Sequence, residues 1–451
     1  MIPTRISRRA AAVTAALLAP VFALAACGDD AGSESGGDAS DAAGSAEPVE
    51  LSILIDDAEN SLLLFEGLTE AYTEQNPNVT FSVETRPGGG EGDNIVKTRL
   101  ATGDMTDLFF YNSGSLLAAL NPSQTLVPVT DQPWVDNLND AFVQAVSADE
   151  DVFGAPVGSN MAGGMFYNEA IYEELGLDVP TTWEEFMANN EVIAAETDAA
   201  PVVQTYQDTW TSQLFVLGDF HNVLADNPDW AEQYTANEVK YASDESAIQG
   251  FEHLQEVYDA GYLNEDFASA TYPEGLEKIA TGEGVHYPML SFAVSELVAN
   301  FPDQAEDVGF AALPGDDADS YGLTVWTPGG MYLPQSTEGA ERDAALDFMG
   351  FVASPEACEV QTAAAQPTGP YAVEGCELPA DVPNAVQDLQ AYFDTEGQTS
   401  PALEFLSPIK GPALEQITVE VGSGIRSAED GAALYDEDVE KQAQQLGIEG
   451  W

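Results

Sequence analysis

Four short stretches of this chain set an aromatic ring beside small polar side chains. Tyr111-Asn112-Ser113-Gly114-Ser115 follows an apolar run, and Tyr206-Gln207-Asp208-Thr209-Trp210 combines two rings with hydroxyl, amide and carboxylate groups. Phe292 comes directly after Tyr287-Pro288-Met289-Leu290-Ser291, and Trp326 stands in Thr324-Val325-Trp326-Thr327-Pro328-Gly329-Gly330. A polyhydroxylated ligand presents apolar C–H faces and hydroxyl-rich edges. A site for one therefore needs planar rings for the faces and short polar groups for the edges. Glycines such as Gly329 let a backbone approach such a ligand closely. Asp56, Asp57 and Glu59 follow a strand-like segment, where carboxylates could bond hydroxyls, and they fit a solvated loop equally well. Arg86, one of few cations, could bond a hydroxyl or simply balance charge. Every ring also has a packing alternative. Trp183 lies inside a helix start and reads as core, Tyr206 and Phe292 fit a core as well as a cleft, and Trp210 and Trp326 favour a cleft because polar or glycine-rich loop residues surround them.

Other chemistry is missing. The chain has no G-x-S-x-G elbow, no P-loop and no H-E-x-x-H helix, and Asp316-Asp317-Ala318-Asp319-Ser320-Tyr321-Gly322 lacks the third oxygen ligand of a calcium loop. His221, His253 and His286 are scattered, so no metal-ligand spacing exists. The sequence therefore implies no metal, no cofactor and no catalytic residue. Among 451 residues there are 12 Lys and Arg against 78 Asp and Glu, a formal charge of −66, yet 44% of the chain is hydrophobic. That balance describes a folded protein of two or three domains rather than an acidic coil. It excludes nucleic acid, whose phosphates require a cationic surface. Anionic ligands usually need a focused cationic site as well, so a neutral mono- or oligosaccharide is favoured. A polyamine or other cation is the competing ligand, and a surface glycoside hydrolase is the competing class.

The N-terminus reads as an export signal. Arg5, Arg8 and Arg9 precede a small, apolar run from Ala10 to Ala26. Leu24-Ala25-Ala26-Cys27 looks like the lipobox of bacterial lipoproteins, in which the cysteine carries lipid and becomes the mature N-terminus. On that reading residues 1–26 are a lipoprotein signal peptide and residues 27–48 an acidic Gly/Ser/Ala tether on the outer face of the cytoplasmic membrane. Cys358 and Cys376 remain, and in an exported chain they most simply form a disulfide, two free buried thiols being the alternative.

The elements that must position these residues are legible in outline. Val49 to Ile55 alternates as a strand, a helical spacing runs from Leu64 to Tyr72, Val79 to Val83 makes a second strand, and Asp107 to Tyr111 reads as a buried parallel one. This β-α-β-α-β opening belongs to an open parallel sheet, whose ligands sit beyond the carboxyl ends of its strands. Thr182 with Glu185 forms a capping box before an apolar helix, and Ala344 to Val352 gives one face of another.

Three stretches, in order, carry a resemblance: Leu100-Ala101-Thr102-Gly103-Asp104-Met105-Thr106-Asp107-Leu108-Phe109-Phe110; then Gly154-Ala155-Pro156, Met165-Phe166-Tyr167-Asn168-Glu169 and Pro180-Thr181-Thr182-Trp183-Glu184-Glu185-Phe186; then Gly309-Phe310-Ala311-Ala312-Leu313-Pro314 with Ala344-Ala345-Leu346-Asp347-Phe348. Together they resemble family 1 of the extracellular solute-binding proteins of bacterial ABC importers, the group containing maltose-binding protein, although Thr106 replaces the usual proline. The resemblance covers nearly the whole chain from Val49. It implies an α/β, two-lobe periplasmic-binding-protein-like fold with a hinge and an interlobe ligand cleft, working as a monomer with membrane permease subunits as partners. It further implies hinge crossings near Val157 to Asn160, Pro314, and Tyr332 to Pro334, with residues 49–157 plus 315–332 as the N-terminal lobe and 158–314 plus 333–451 as the C-terminal lobe. It places a sugar-contacting aromatic at Tyr111, a hydroxyl-bonding acid and a stacking ring at Tyr206 to Trp210, and Phe292 where many relatives have a stacking tryptophan.

Overall fold

A computed structural model describes residues 48–451 of the chain. The alternation at its start becomes the strand Val49–Asp56, with Leu51, Ile53 and Ile55 fully buried on one face. It pairs in parallel with Val79–Arg86 on one side and Leu108–Tyr111 on the other, and the helices Glu59–Gln75 and Gly89–Thr102 make the crossovers. Gly329–Tyr332 then lies antiparallel between Leu108–Tyr111 and Gly154–Val157, completing a five-stranded sheet. The helices Gly339–Val352 and Pro355–Ala364 pack over this sheet and contribute Phe348, Met349, Val352 and Ala357 to the same core as Phe65, Leu68 and Phe109.

The second sheet is centred on Met161–Asn168, with Leu323–Trp326 and Gly284–Leu290 antiparallel on its two sides and Val308–Ala311 antiparallel along its C-terminal half. Thr399–Pro401 and Ala200–Val202 form the outer strands. The predicted capping box is present: Thr182 caps Trp183–Glu196 and Glu185 returns to the Thr182 amide. All three histidines are buried in this half. His286 is held between Tyr172, Asn190 and the Pro201 carbonyl, and His253 stacks on Trp183 at 3.7 Å. Burial keeps His253 and His286 neutral, with pKa values pushed down to about 3. Among the described residues no His/Cys/Asp/Glu group could hold a metal ion, and no helix is long and apolar enough to cross a membrane.

The division of the chain between the sheets differs from the expected one. One crossing between the sheets lies between Val157 and Met161. The second is not at Pro314: residues through Trp326 stay in the second sheet, and the chain changes sheets at Thr327-Pro328. Nor does the chain leave the first lobe near Tyr332. The segment through Val373 packs in the first core, and Val382 and Ala385 are the next residues in a second-lobe core. The physical reason is that Leu323–Trp326 and Gly329–Tyr332 are two short strands on different sheets, separated by two residues, which read in sequence as one glycine-rich loop.

Cys358 and Cys376 form a disulfide with Cα atoms 5.9 Å apart. Closing a loop of this length contributes ~3 kcal/mol by restricting the unfolded chain. Charge contributes far less. Among the described residues four ion pairs are formed, Arg99–Glu84, Lys278–Asp266, Lys410–Glu404 and Arg426–Glu420, all partly exposed. With 78 acidic against 12 basic residues in the chain, carboxylate repulsion is largely uncompensated. Raising salt from about 0.1 M to about 1 M shortens the screening length from ~10 to ~3 Å. The thermal midpoint should rise across that range, and a midpoint that falls or stays flat would show that repulsion is not limiting.

Candidate binding cleft

The carboxyl ends of the first-sheet strands carry one group of predicted residues. Asp56 and Arg86 end neighbouring strands in register, and the guanidinium of Arg86 reaches across to the Phe110 carbonyl and over the Tyr111 ring, 5.4 Å from its centroid. Arg86 also bonds the Pro87 carbonyl, and Gly92 leaves room for it, since a side chain there would collide with both. Arg86 and Tyr111 are buried, so they tie three strand ends together beneath the surface. Burial, reinforced by Asp93, pushes the Tyr111 phenol pKa well up, so the ring carries a hydroxyl and no charge. Asp57 and Asn112 are exposed, and Asp56 is half-buried with its carboxylate accepting the Ala58 amide. Glu59 opens the helix Glu59–Gln75, and its side chain lies outside the described residues.

Ser113 links this group to the sheet crossing. Its hydroxyl lies 3.1 Å from Thr327 Oγ1 and donates to the Pro328 carbonyl. The next residue, Gly114, has φ of 67° and ψ of −137°, and a side chain on it would meet Phe405 and the Glu404 carbonyl of the second lobe. Gly329 is needed for packing: a Cβ there would lie 2.5 Å from the Phe110 ring.

The second lobe presents a different kind of wall. Trp210, Tyr272 and Phe292 form a ring cluster with centroids 5.3 to 6.1 Å apart, and Trp210 and Phe292 are only half-buried. Asp208 supports it, because its carboxylate accepts the Tyr272 amide at 2.7 Å, the first turn of the helix Tyr272–Thr281. Thr271 and Glu274 complete a capping box at that helix start, which further fixes the backbone of Tyr272. Burial and Glu296 together hold the Tyr272 phenol pKa well up.

The structure separates the other two rings from this wall. Tyr206 is 4% exposed, packed edge-on against Phe267 with its hydroxyl over Gly422. Trp326 is 8% exposed and lies over Gly163 among Val216, Phe220, Leu403 and Tyr435. Both are largely buried, Trp326 at the edge of a small cavity. Nothing in the sequence marks Tyr272, since an aromatic at a helix start gives no signal that separates it from core. Cys27 and the predicted signal and tether lie outside the described residues.

Two lobes, joined by several crossings and carrying polar strand ends on one side and a ring cluster on the other, define a two-lobe solute-binding architecture. The chain belongs to the bacterial extracellular solute-binding protein family, whose model matches residues 60–358. It is 23% identical over 297 residues to the multiple sugar-binding protein of Streptococcus mutans, covering 64% of this chain and 67% of that one. It is 21% identical over 351 residues to the melibiose/raffinose/stachyose-binding protein MelE of Bacillus subtilis, covering 73% and 76%. Among solved structures, a chitin oligosaccharide binding protein superposes with a TM-score of 0.73 at 20% identity, over 88% of this chain and 99% of that one. RafE in complex with raffinose gives 0.71 at 17% identity, over 86% and 99%. At these identities the superpositions establish the shared fold.

Proposed function

We propose that the protein captures a neutral sugar or oligosaccharide between its lobes and delivers it to the permease of an ABC importer, without catalysing a reaction. The observation that supports this best is the half-buried Trp210–Tyr272–Phe292 cluster with Asp208 at its base. It offers planar faces for C–H surfaces and a hydrogen-bonding edge beside them. The sugar-binding names of the relatives MelE and the multiple sugar-binding protein agree with it. Ligand would touch both lobes only when they close, so binding shifts the open–closed equilibrium. On the same reading Cys27 carries lipid outside the cytoplasmic membrane, and Cys27→Ser should release the protein or stall its processing. A cleaved variant that stays on the membrane would reject the anchor.

The test of the ligand site is Trp210→Ala. Titration calorimetry against neutral saccharides, with polyamines alongside, should find a sugar that binds wild type, and the variant should bind it ~5- to 150-fold more weakly, or ~1–3 kcal/mol. The thermal midpoint of the free protein should change little, because the ring is partly exposed. Wild-type affinity in the variant would remove the ring cluster from the site, and binding of a polyamine alone would replace the ligand class.

A further inference from the structure

The disulfide closes a loop with an unusual path. Cys358 and Cys376 both pack against the first-lobe core, as do Ala365 and Tyr371, yet the tip between those last two residues reaches across to hydrogen-bond partners on the second lobe. On the way out, Gln361 accepts the Gly158 amide at 2.7 Å, at the first crossing between the lobes. At the far end, Ser295 donates to the Gln366 carbonyl and Ser291 to the Thr368 carbonyl, at 3.1 and 2.9 Å. Ser291 also accepts the Ala162 amide and directly precedes Phe292 of the ring cluster. The Thr368 amide donates to Ser159, and the Pro370 carbonyl accepts both the backbone and side-chain N–H of Asn160, each at 2.8 Å. Ala372 and Glu374 then bond Asn139 and Asn137 back in the first lobe.

We propose that residues 359–375 form a strap that sets the position of the second-lobe ring wall against the first lobe, and that the Cys358–Cys376 bond holds the strap in register. Residues 359–364 finish the helix Pro355–Ala364 and the rest of the strap is irregular, its far end held by the hydrogen bonds above together with the Thr368 hydroxyl beside Ser159 and Asn160. Its two ends are fixed to each other by the disulfide, so slack introduced at the base is passed to Thr368 and hence to Ser291 and Asn160. Gly369 shows how close the fit is: a Cβ there would lie 2.5 Å from the Asn160 carbonyl and 3.1 Å from Leu389. Ser291, Ser295 and Thr368 are therefore positioning residues, and the consequence for ligand rests on the reading that the ring cluster is the binding wall.

Hydrogen–deuterium exchange on the free full chain tests the strap without any ligand. In the C358A/C376A double variant, held well below its unfolding temperature, the amides of Asn160, Ala162 and Thr368 should exchange roughly tenfold faster or more. The strand Gly284–Leu290 beside them should keep wild-type protection. Gly369→Ala provides a second route, because it wedges the strap off Asn160 while the disulfide stays intact, and it should give the same signature. Acceleration confined to residues 355–378 and their first-lobe neighbours in both variants would overturn the proposal and leave the bond a staple of one lobe. If the double variant does not fold, Gly369→Ala decides alone. Raffinose then serves as a binding probe. Where it binds wild type, both variants should bind it several-fold more weakly, and unchanged binding with the exchange signature present would reject the ring cluster as the wall while sparing the strap.

Discussion

Trp326→Ala should cost the folded protein ~3 kcal/mol, the low end of the usual penalty for truncating a large buried aromatic, because the indole is buried but borders a small cavity. The indole ends the strand Leu323–Trp326, whose last residue pairs with Met161, and it lies over Gly163, where an added Cβ would approach the ring to 2.8 Å. With Val216, Leu217, Phe220, Leu403, Ile409 and Tyr435 it lines a small, largely apolar cavity. Denaturant unfolding should therefore show a lower midpoint for Trp326→Ala, and Gly163→Ala should lower it through the same ring. Ligand affinity of the remaining folded fraction should be close to wild type. An unchanged midpoint with lost binding would return Trp326 to the cleft.

Asp219→Asn should stabilise the protein at neutral and alkaline pH and leave it unaltered near pH 4. The Asp219 carboxyl is buried at the start of the helix Phe220–Asp226. One oxygen accepts from Asn222 at 2.7 Å and the other has no hydrogen-bond partner. Burial pushes its pKa up to about 8, against a gain from Asn222 and a further push from Asp316. An acid whose folded pKa is raised binds its proton more tightly in the folded than in the unfolded chain. Its stabilising contribution is whole below the unfolded value of about 4 and is lost as pH rises toward 8, by up to ~1.4 kcal/mol per unit. The asparagine keeps the shape and the neutral state, so the variant should lead wild type by ~2–4 kcal/mol at pH 8. Parallel pH profiles for the two proteins would show that the Asp219 carboxyl does not titrate in this window.

Local signals in the sequence were read correctly where one interaction decides the structure. The alternation at Val49 to Ile55 and the Thr182–Glu185 capping box each became the element they imply. The sequence says less where the deciding partner is distant along the chain. Nothing near Trp326 says that it will share a cavity with Val216 and Tyr435, and the glycines that follow it, which suggest an open loop, lie against rings, Gly329 against Phe110 and Gly330 against Tyr332. Asp208 was read as a ligand group, and it spends one oxygen on the Tyr272 amide, which is 64 residues away. Tyr111 shows the same limit. Its place at a strand end was legible, while the Arg86 guanidinium stacked over it depends on the register of two other strands.

Among the described residues the strand Gly154–Val157 has one neighbour in its sheet, Gly329–Tyr332, which also links it to Leu108–Tyr111. The chain supplies that link only after making the second-sheet strands from Met161–Asn168 to Leu323–Trp326. The first lobe is thus begun early and finished late. A growing chain of 320 residues carries three paired strands and one waiting strand with open edges. Closing the gap requires ends far apart in sequence to meet, which slows folding more than it weakens the finished product. Refolding should accordingly show fast helix formation followed by a slow phase in which this one four-residue strand enters the sheet, and the chain stays susceptible to edge-to-edge association until it does.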